Sequence, residues 1–406
     1  MTSPKALEGI RIIDLSRVLA GPMCTQILGD CGAEIIKIEK PYAGDDTRKW
    51  GPPFLKDQNN DNTEESAYYL SANRNKESVT IDFTQREGQQ LLHALLEKAD
   101  VLVENHKVDS LKKYGLDYES IHKKHPHIIY ASITGFGQSG PLSHEPGYDL
   151  LAQAMGGLMA YTGEANGPPM KAGVALSDVI TGLYTCIGIL SALRARESMK
   201  IGQHIDISLL DCTVASMTNI AQYFLTSKEL PPRSGNAHST IVPYQAFATK
   251  DGNVVIAIGN DVQFARLCHC LDREHWIEDP HYATNEARVH SRKEIIPQIE
   301  EIIQTKETAY WVTELRSNQI PVAPVNAMDD IFTLDHILER NMSISMNHPR
   351  SESPIALVGN PLKFSETAVS YNKPPPTLGQ HTDKVLKDIL GLDDEQISNL
   401  HNKGVV

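Results

Sequence analysis

A single aspartate lies between small and apolar residues in the segment GVALSDVITG, residues 173–182. Asp178 stands directly before a helical pattern that continues to Arg196. Because Ser and Asp are favoured at helix N-caps, the simplest interpretation is that it caps this helix. A carboxylate at a helix N-terminus also stays ionised, and an ionised aspartate in an apolar pocket can act as a nucleophile. The two interpretations are compatible, and the residue is a candidate for catalysis.

Tyr148-Asp149 forms a second candidate pair in the segment EPGYDLL. Its structural alternative is a capping aspartate beside a buried aromatic ring. A third group shares basic or amide chemistry and positions after predicted strands: Arg17, Lys40, Arg48, Arg74, Lys76, Asn105, Lys107 and Lys113. Since open α/β sheets bind ligands beyond the carboxyl ends of their strands, these residues favour a phosphate-bearing ligand.

Short β-branched runs alternate with amphipathic stretches over the first 140 residues. Strands are predicted at residues 10–15, 34–39, 79–83, 101–104 and 128–133, with a helix at 86–98. This alternation indicates an α/β fold with a parallel sheet covered by helices. Neither G-x-G-x-x-G nor G-x-x-x-x-G-K-[ST] follows the first strand, which argues against NAD and ATP.

The chain divides into two predicted domains. A large domain takes residues 1–225 and is completed by 335–406, 226–239 form a linker, and 240–330 form a smaller α+β domain. The small domain is predicted to open with a hairpin over 244–258 that turns at Lys250-Asp251-Gly252-Asn253.

Composition excludes several classes of function. The 406 residues carry a formal net charge of −13, which argues against duplex nucleic acid as a partner. The longest apolar stretch, 179–193, is interrupted and shorter than the roughly 18 residues of a spanning helix, so no membrane span is expected. The N-terminus shows no signal or transit character, so a cytoplasmic location is expected, or the mitochondrial matrix in a eukaryote. Cys268-His269-Cys270 has no second CxxC pair, so no metal site is predicted.

An ordered set of motifs resembles the family III CoA-transferases. The motifs are LSRVLAGP at 15–22, GAEIIKIE at 32–39, GDDTR at 44–48, NRNK at 73–76, VEN at 103–105, GFGQSGP at 135–141 and GYD at 147–149. The resemblance runs from about residue 7 to 405. It implies a Rossmann-like large domain, a smaller domain, and an interlocked homodimer.

The resemblance also implies roles for individual residues. Asp178 is the nucleophile that forms an aspartyl-CoA thioester. Acyl-CoA enters as a substrate and no cofactor is permanently bound. The residues implied in CoA binding are Leu19, Ala20, Lys40, Ile81, Asn105, Lys107, Lys113 and Tyr148. The candidates for holding the acid substrate are Arg17, Arg48, Arg74 and His238. Arg48 is favoured and Arg17 comes next, because arginine binds both carboxylate oxygens.

Within the family, GNAHSTIVPYQAF at 235–247 and PPPTLGQHT at 374–382 most resemble members that use succinyl-CoA and a short dicarboxylate such as glutarate. Leu19 and Thr84 depart from the glutamine and lysine of formyl-CoA transferase, which argues against formate or oxalate. The alternative is an α-methylacyl-CoA racemase, which has a histidine where this chain has Tyr148. Tyrosine, with a pKa near 10, is a poor base at neutral pH. A non-catalytic CoA- or nucleotide-binding protein is a third reading of the same fold.

Overall fold

The computed structural model describes residues 4–406. Its strands are β1 Arg11–Asp14, β2 Glu34–Glu39, β3 Phe54–Lys56, β4 Asn62–Ser66, β5 Lys76–Thr80, β6 Val101–Glu104, β7 Ile129–Thr134, β8 His204–Ser208, β9 Tyr244–Ala248, β10 Asn253–Ala257, β11 Val322–Pro324, β12 Ser343–Met346 and β13 Ile355–Val358. Its helices are α1 Ala20–Asp30, α2 Ala67–Ser71, α3 Arg86–Leu96, α4 Tyr118–Lys124, α5 Asp149–Met155, α6 Leu158–Tyr161, α7 Leu176–Met199, α8 Leu209–Ser216, α9 Thr218–Ser227, α10 Asp261–Cys270, α11 Asn285–His290, α12 Arg292–Ile303, α13 Thr308–Ser317, α14 Met328–Ile331, α15 Asp335–Glu339, α16 Thr382–Leu390 and α17 Asp394–Asn402. Single 3₁₀ turns cover Asp46–Lys49, Lys112–Tyr114 and Glu274–Trp276.

A six-stranded parallel sheet in the order β5-β2-β1-β6-β7-β8 confirms the predicted α/β fold. Neighbouring residues of β1 point to opposite faces, as a pleated strand requires. Ile12 packs with α1 and α7 on one face, and Ile13 packs with α3 and the C-terminal helices α16 and α17 on the other. The sheet is therefore a middle layer covered by helices on both sides.

The predicted bounds of the third strand were wrong. It was expected at 79–83, but the structure has β5 at Lys76–Thr80. The sequence signal was misleading because Lys76 and Glu77 are charged, yet both are buried. Ion pairs make this burial tolerable: Lys76 Nζ lies 3.2 Å from Asp14 Oδ2, and Lys373 Nζ lies 2.7 Å from Glu77 Oε1.

Helix α7 is the longest apolar helix among the described residues. The helix has 24 residues, and an 18-residue window within it has a mean hydropathy of 1.6, so length and composition alone would allow it to cross a membrane. The helix is longer than the apolar run expected at 179–193. One face packs closely on α1, where a Cβ on Gly182 would lie 2.8 Å from the Ala20 carbonyl oxygen. The other face leaves Leu183, Ile187 and Leu190 exposed.

The chain separates into two compact units. The first contains residues 4–158, Lys171–Thr226 and Leu338–Val406; the second contains Met159–Met170 and Ser227–Ile337. The second unit therefore contains the predicted small domain, 240–330, and extends beyond it. It also includes residues 159–170 and most of the expected linker, 226–239. Its antiparallel sheet β11-β10-β9 includes the predicted hairpin. Its core packs Phe247, Trp276 and Trp311 together with aliphatic residues.

Candidate active site

A cleft of about 250 Å³ opens in the first unit at the carboxyl ends of β1, β6 and β7. Parallel strands end at the same edge of a sheet, so their loops meet there. The residues that line the cleft are Arg17, Val18, Leu19, Ala20, Asp46, Trp50, Asn105, His106, Lys107, Val108, Ile133, Thr134, Gly135, Ser143, His144, Glu145, Pro146, Gly147, Tyr148, Asp149, Asp178 and Leu209. The cleft thus brings together seven of the residues singled out for the nucleophile, CoA or the acid.

Asp178 reaches the cleft from the first turn of α7. The structure corrects the expectation that it caps this helix: the N-cap position is Ala175, and Asp178 lies three residues farther on. Burial raises the pKa of the Asp178 carboxyl to about 7, and the nearby charge of Asp149 adds to the shift. The expectation that this carboxylate stays fully ionised was therefore wrong, because burial outweighs the effect of the helix N-terminus; near neutral pH about half of the molecules carry the ionised form that acts as a nucleophile.

Tyr148 and Asp149 begin the neighbouring helix α5. Tyr148 occupies its N-cap position with 68% of its surface exposed, so the structural alternative of a buried aromatic ring does not hold here. The backbone before it touches Gly135, and a Cβ on either Gly135 or Gly147 would lie within 2.3 Å of the other residue's Cα. Two glycines are therefore needed where this loop returns to the sheet.

The loop after β1 contributes Arg17, Val18 and Leu19, and α1 begins at Ala20. Val18 has a φ of 71°, an unusual conformation for a β-branched residue. Its backbone N–H donates to both carboxylate oxygens of Asp45 at 3.3 Å. Asn105 holds the same loop from β6: its side chain accepts from the Arg17 N–H at 2.9 Å and donates to the Arg17 carbonyl at 2.7 Å. The two loops predicted to bind CoA are thus joined.

Three other predicted CoA residues lie beyond the cleft lining. Lys40 follows β2 and is exposed, whereas Ile81 follows β5 and is buried. Lys113 Nζ lies 4.7 Å from the centre of the Tyr114 ring. Tyr114 contacts Phe83, and Phe83 contacts His106 of the cleft, each edge to face. A row of aromatic rings therefore connects Lys113 with the cleft.

The structure corrects the choice of Arg48 as the cation for the acid substrate. Its guanidinium is buried, and all three nitrogens already have partners in Glu39, Glu65, Tyr69 and the Pro376 carbonyl. These bonds hold the Arg48 side chain in the core, and it does not line the cleft that contains Asp178.

Arg74 is occupied in the same way. It forms two bonds to Asp30, at 2.9 and 2.6 Å, and one to the Val358 carbonyl. His238 belongs to the second unit, where its backbone N–H donates to Tyr244 and its ring lies 5.3 Å from the Tyr244 ring. Arg17 alone among the four candidates lines the cleft; its side chain is 45% exposed and pairs with Asp46 at 2.9 Å.

Several lining residues escaped the sequence reasoning. Trp50 follows a 3₁₀ turn and meets the Tyr68 ring edge to face at 5.3 Å. His106 was passed over between two predicted residues, and its pKa falls to about 4 because it is buried and near Arg17. Ser143, His144 and Glu145 lie in a loop whose only signal is its run of glycines.

No cluster of three or more His, Cys, Asp or Glu side chains suited to a metal ion occurs within residues 4–406. In the C-x-C segment, Cys268 packs in the core of the second unit, and burial raises its thiol pKa to about 12. His269 instead faces solvent and contacts Glu274.

Comparison with known proteins agrees with this geometry. The model of CoA-transferase family III matches residues 7–382. A succinyl-CoA:glutarate CoA-transferase from Mus musculus is 45% identical over 404 residues, covering 100% of this chain and 91% of the mouse protein. A succinate–glutarate CoA-transferase from Agrobacterium fabrum is 43% identical over 388 residues, covering 94% and 95% of the two chains.

Solved structures show the same fold. A CAIB/BAIF family protein from Brucella suis superposes with a TM-score of 0.88 at 39% identity, covering 96% of this chain and 100% of that one. The curated relatives are named as CoA-transferases, so the racemase alternative is not favoured. The family match across nearly the whole chain, together with a cleft that presents Asp178 beside the strand-end loops, shows that this chain is an enzyme of CoA-transferase family III.

Proposed function

We propose that this enzyme transfers CoA from succinyl-CoA to glutarate or another short dicarboxylate, through a thioester on Asp178. The observation that carries the proposal is that the Asp178 carboxyl shares one cleft with Tyr148, Asn105 and the loop after β1. The names of the most similar relatives support the pair of acids. CoA is a substrate in this proposal, and no permanently bound cofactor takes part.

The first half-reaction moves CoA to the enzyme. The Asp178 carboxylate attacks the thioester carbonyl carbon, the carbon–sulfur bond breaks, and CoA leaves as a thiolate with the electron pair. The product is a mixed anhydride of succinate and Asp178. The thiolate then attacks the Asp178 carbonyl carbon, which releases succinate and leaves an aspartyl-CoA thioester. Splitting the transfer in this way replaces one difficult step by easier ones.

The second half-reaction repeats these steps with the acceptor. Its carboxylate attacks the Asp178 thioester and expels CoA thiolate, and the thiolate attacks the acceptor's acyl carbon and frees Asp178. No proton is gained or lost in either half. Water must be kept from both activated intermediates, since hydrolysis would turn the transferase into a thioesterase.

Arg17 is our choice for the distal carboxylate of a dicarboxylic substrate. A second carboxylate held in a site from which water is excluded needs a cation, because an unpaired buried charge costs several kcal/mol. Arg17 lines the cleft, is partly exposed, and uses Nη1 toward Asp46. Within the part of the chain that the structure describes, Nε and Nη2 form no hydrogen bond, so they can donate to a carboxylate.

A panel of acids tests the assignment. The purified enzyme is incubated with succinyl-CoA and equal concentrations of C5 and C6 dicarboxylates, isotopically labelled succinate as the C4 dicarboxylate, or monocarboxylates of the same lengths, and the CoA esters are measured by mass spectrometry. Glutaryl-CoA should dominate, and hydroxylamine added during turnover should modify Asp178. Equal use of butyrate or hexanoate would contradict the dicarboxylate assignment, and a label on another residue would contradict the mechanism.

We also propose that the working form is a cytoplasmic homodimer. The exposed side chains Leu183, Tyr184, Ile187 and Leu190 lie along one face of α7. A contiguous patch of exposed apolar side chains marks a surface that can pack against a second protein chain. Light scattering after size exclusion should give twice the chain mass of 44.9 kDa. Ile187→Glu should shift that mass to the monomer, whereas an active wild-type monomer would contradict the proposal.

A further inference from the structure

Helix α7, which carries the nucleophile, has no cap of its own. The side chain of its N-cap residue, Ala175, makes no capping hydrogen bond. The first N–H groups of any helix lack partners within the helix and need acceptors from elsewhere. Here one oxygen of Asp149, Oδ1, accepts from the Ser177 N–H at 2.9 Å and from the Asp178 N–H at 3.3 Å. These are the second and third residues of the helix, the positions that a capping side chain normally serves.

The second oxygen of Asp149 is held by Gln153, one turn farther along α5. Gln153 Nε2 donates to Asp149 Oδ2 at 2.7 Å, and Gln153 Oε1 accepts from the Ala172 N–H at 2.9 Å. The Gln153 side chain is completely buried. Two residues of α5 thus fix both the start of α7 and the segment that leads into it.

Asp149 also places a negative charge beside the nucleophile. Burial is the main cause of the raised pKa of Asp178, and the Asp149 charge is the second. The same two charges act on Tyr68: burial raises the pKa of its hydroxyl, and the charges of Asp178, Asp149 and Asp45 raise it further. The other titratable or charged groups that line the cleft are Arg17, Asp46, His106, Lys107, His144, Glu145 and Tyr148. Among these groups, Asp149 is the one bonded to the backbone of Asp178.

We propose that Asp149 is the positioning residue of the nucleophile: from a separate helix, it supplies the N-cap that α7 lacks and so holds the Asp178 carboxyl in place in the cleft. This inference rests on the proposed role of Asp178. Asp149 forms no bond with substrate in this role. It acts through the first turn of α7, and its charge tunes the ionisation of the residue it holds.

The variant Asp149→Asn tests the charge of Asp149 separately from its role as the N-cap of α7. Asparagine carries no charge but keeps one carbonyl oxygen that can accept from the Ser177 and Asp178 N–H groups. Its amide NH2 then replaces Oδ2 opposite the Gln153 Nε2 donor, so kcat should also fall, while the pH profile reports the loss of charge. Because Asp178 must be ionised to attack, kcat/KM should rise with pH through its pKa. Loss of the like charge should lower that pKa, so the acid limb of the profile should move to lower pH by about one unit. The KM for succinyl-CoA should stay unchanged.

Gln153→Ala tests the positioning independently. The charge of Asp149 remains, but its carboxylate loses the bond that orients it. We expect kcat to fall about tenfold from misplacement of the nucleophile, with the acid limb of the profile unmoved. Asp393→Asn is the matched control, because Asp393 caps α17 through the Gln396 N–H at 2.8 Å, at the C-terminal end of the chain. It should change neither kcat nor the pH profile.

The outcomes distinguish the two proposals. An Asp149→Asn profile that superposes on the wild type, or a Gln153→Ala kcat equal to that of the control, would overturn the role of Asp149. If Asp149→Asn does not fold, the Gln153→Ala result decides the question. Hydroxylamine trapping of the wild type is a separate readout: if Asp178 is never modified, the proposed function itself fails.

Discussion

Lys37 and Asp45 form an ion pair that solvent does not reach, with Lys37 Nζ 2.9 Å from Asp45 Oδ2 and both side chains 0% exposed. Lys37 also donates to the Ser16 carbonyl at 2.8 Å, and Asp45 accepts from the strained Val18. Burial by itself would raise the pKa of Asp45, but the charge of Lys37 and bonds from Thr47 lower it to about 2. The pair therefore connects the interior of β2 with the loop that lines the cleft.

Lys37→Met should lower the free energy of unfolding by about 3–5 kcal/mol, because it leaves the Asp45 carboxylate buried without its partner. The double variant Lys37→Met/Asp45→Asn should recover part of this loss. Urea unfolding at pH 7 measures both. Arg194→Ala is the control, since it breaks an ion pair with Glu197 in which both side chains are largely exposed, and it should have little effect. Equal losses for Lys37→Met and Arg194→Ala would contradict this reasoning.

Asp178→Asn should abolish CoA transfer and raise thermal stability. The unfolded carboxyl titrates near 3.8 and the folded one near 7, so between these values the unfolded state loses its proton while the folded state keeps it. Wild-type stability therefore falls as pH rises through this window, and asparagine removes that loss. The Tm advantage of the variant should grow from pH 4 to pH 7 and reach about 2 °C or more. A Tm difference that is independent of pH would show that Asp178 has an ordinary pKa.

Lys40→Ala and Lys113→Ala should each raise the KM for succinyl-CoA about five- to tenfold and leave kcat nearly unchanged. Contacts to phosphate far from the thioester stabilise the ground and transition states equally. Steady-state kinetics with CoA and dephospho-CoA esters shows which lysine binds the 3′-phosphate. Lys123→Ala, an exposed lysine of the same unit, is the matched control. If all three variants behave alike, the phosphates bind elsewhere.

Arg17→Met should narrow the preference for glutarate over butyrate about tenfold, because it removes the cation assigned to the distal carboxylate. Its Tm should match the wild type, since the Arg17 side chain is half exposed. Arg48→Met should do the reverse: it should lower the Tm by leaving Glu39 and Glu65 unpaired, with the acid preference of any folded enzyme retained. Competition between the two acids, measured by mass spectrometry, checks both. An unchanged preference in Arg17→Met would remove that residue from the acid site.

Several elements of the fold can be predicted from short segments of the sequence. Buried parallel strands appear as β-branched runs, so β1, β2, β6 and β7 were predicted within one or two residues of their observed ends. The hairpin of β9 and β10 follows from a local turn. The motifs that resemble the family are also short segments of sequence, and the prediction of Asp178 as nucleophile follows from that resemblance.

The partners of the buried charges could not be deduced in this way. Arg48 donates a hydrogen bond to a carbonyl 328 positions along the chain, and Arg74 donates one to a carbonyl 284 positions along. Both arginines were candidates for binding the substrate, but the fold uses them. The cap of α7 likewise comes from Asp149, 28 residues before the N–H that it accepts from. A side chain's type states which bonds it can form. Which of them it does form depends on the groups that folding places within 3 Å, and that choice separates Arg17 in the cleft from Arg48 in the core.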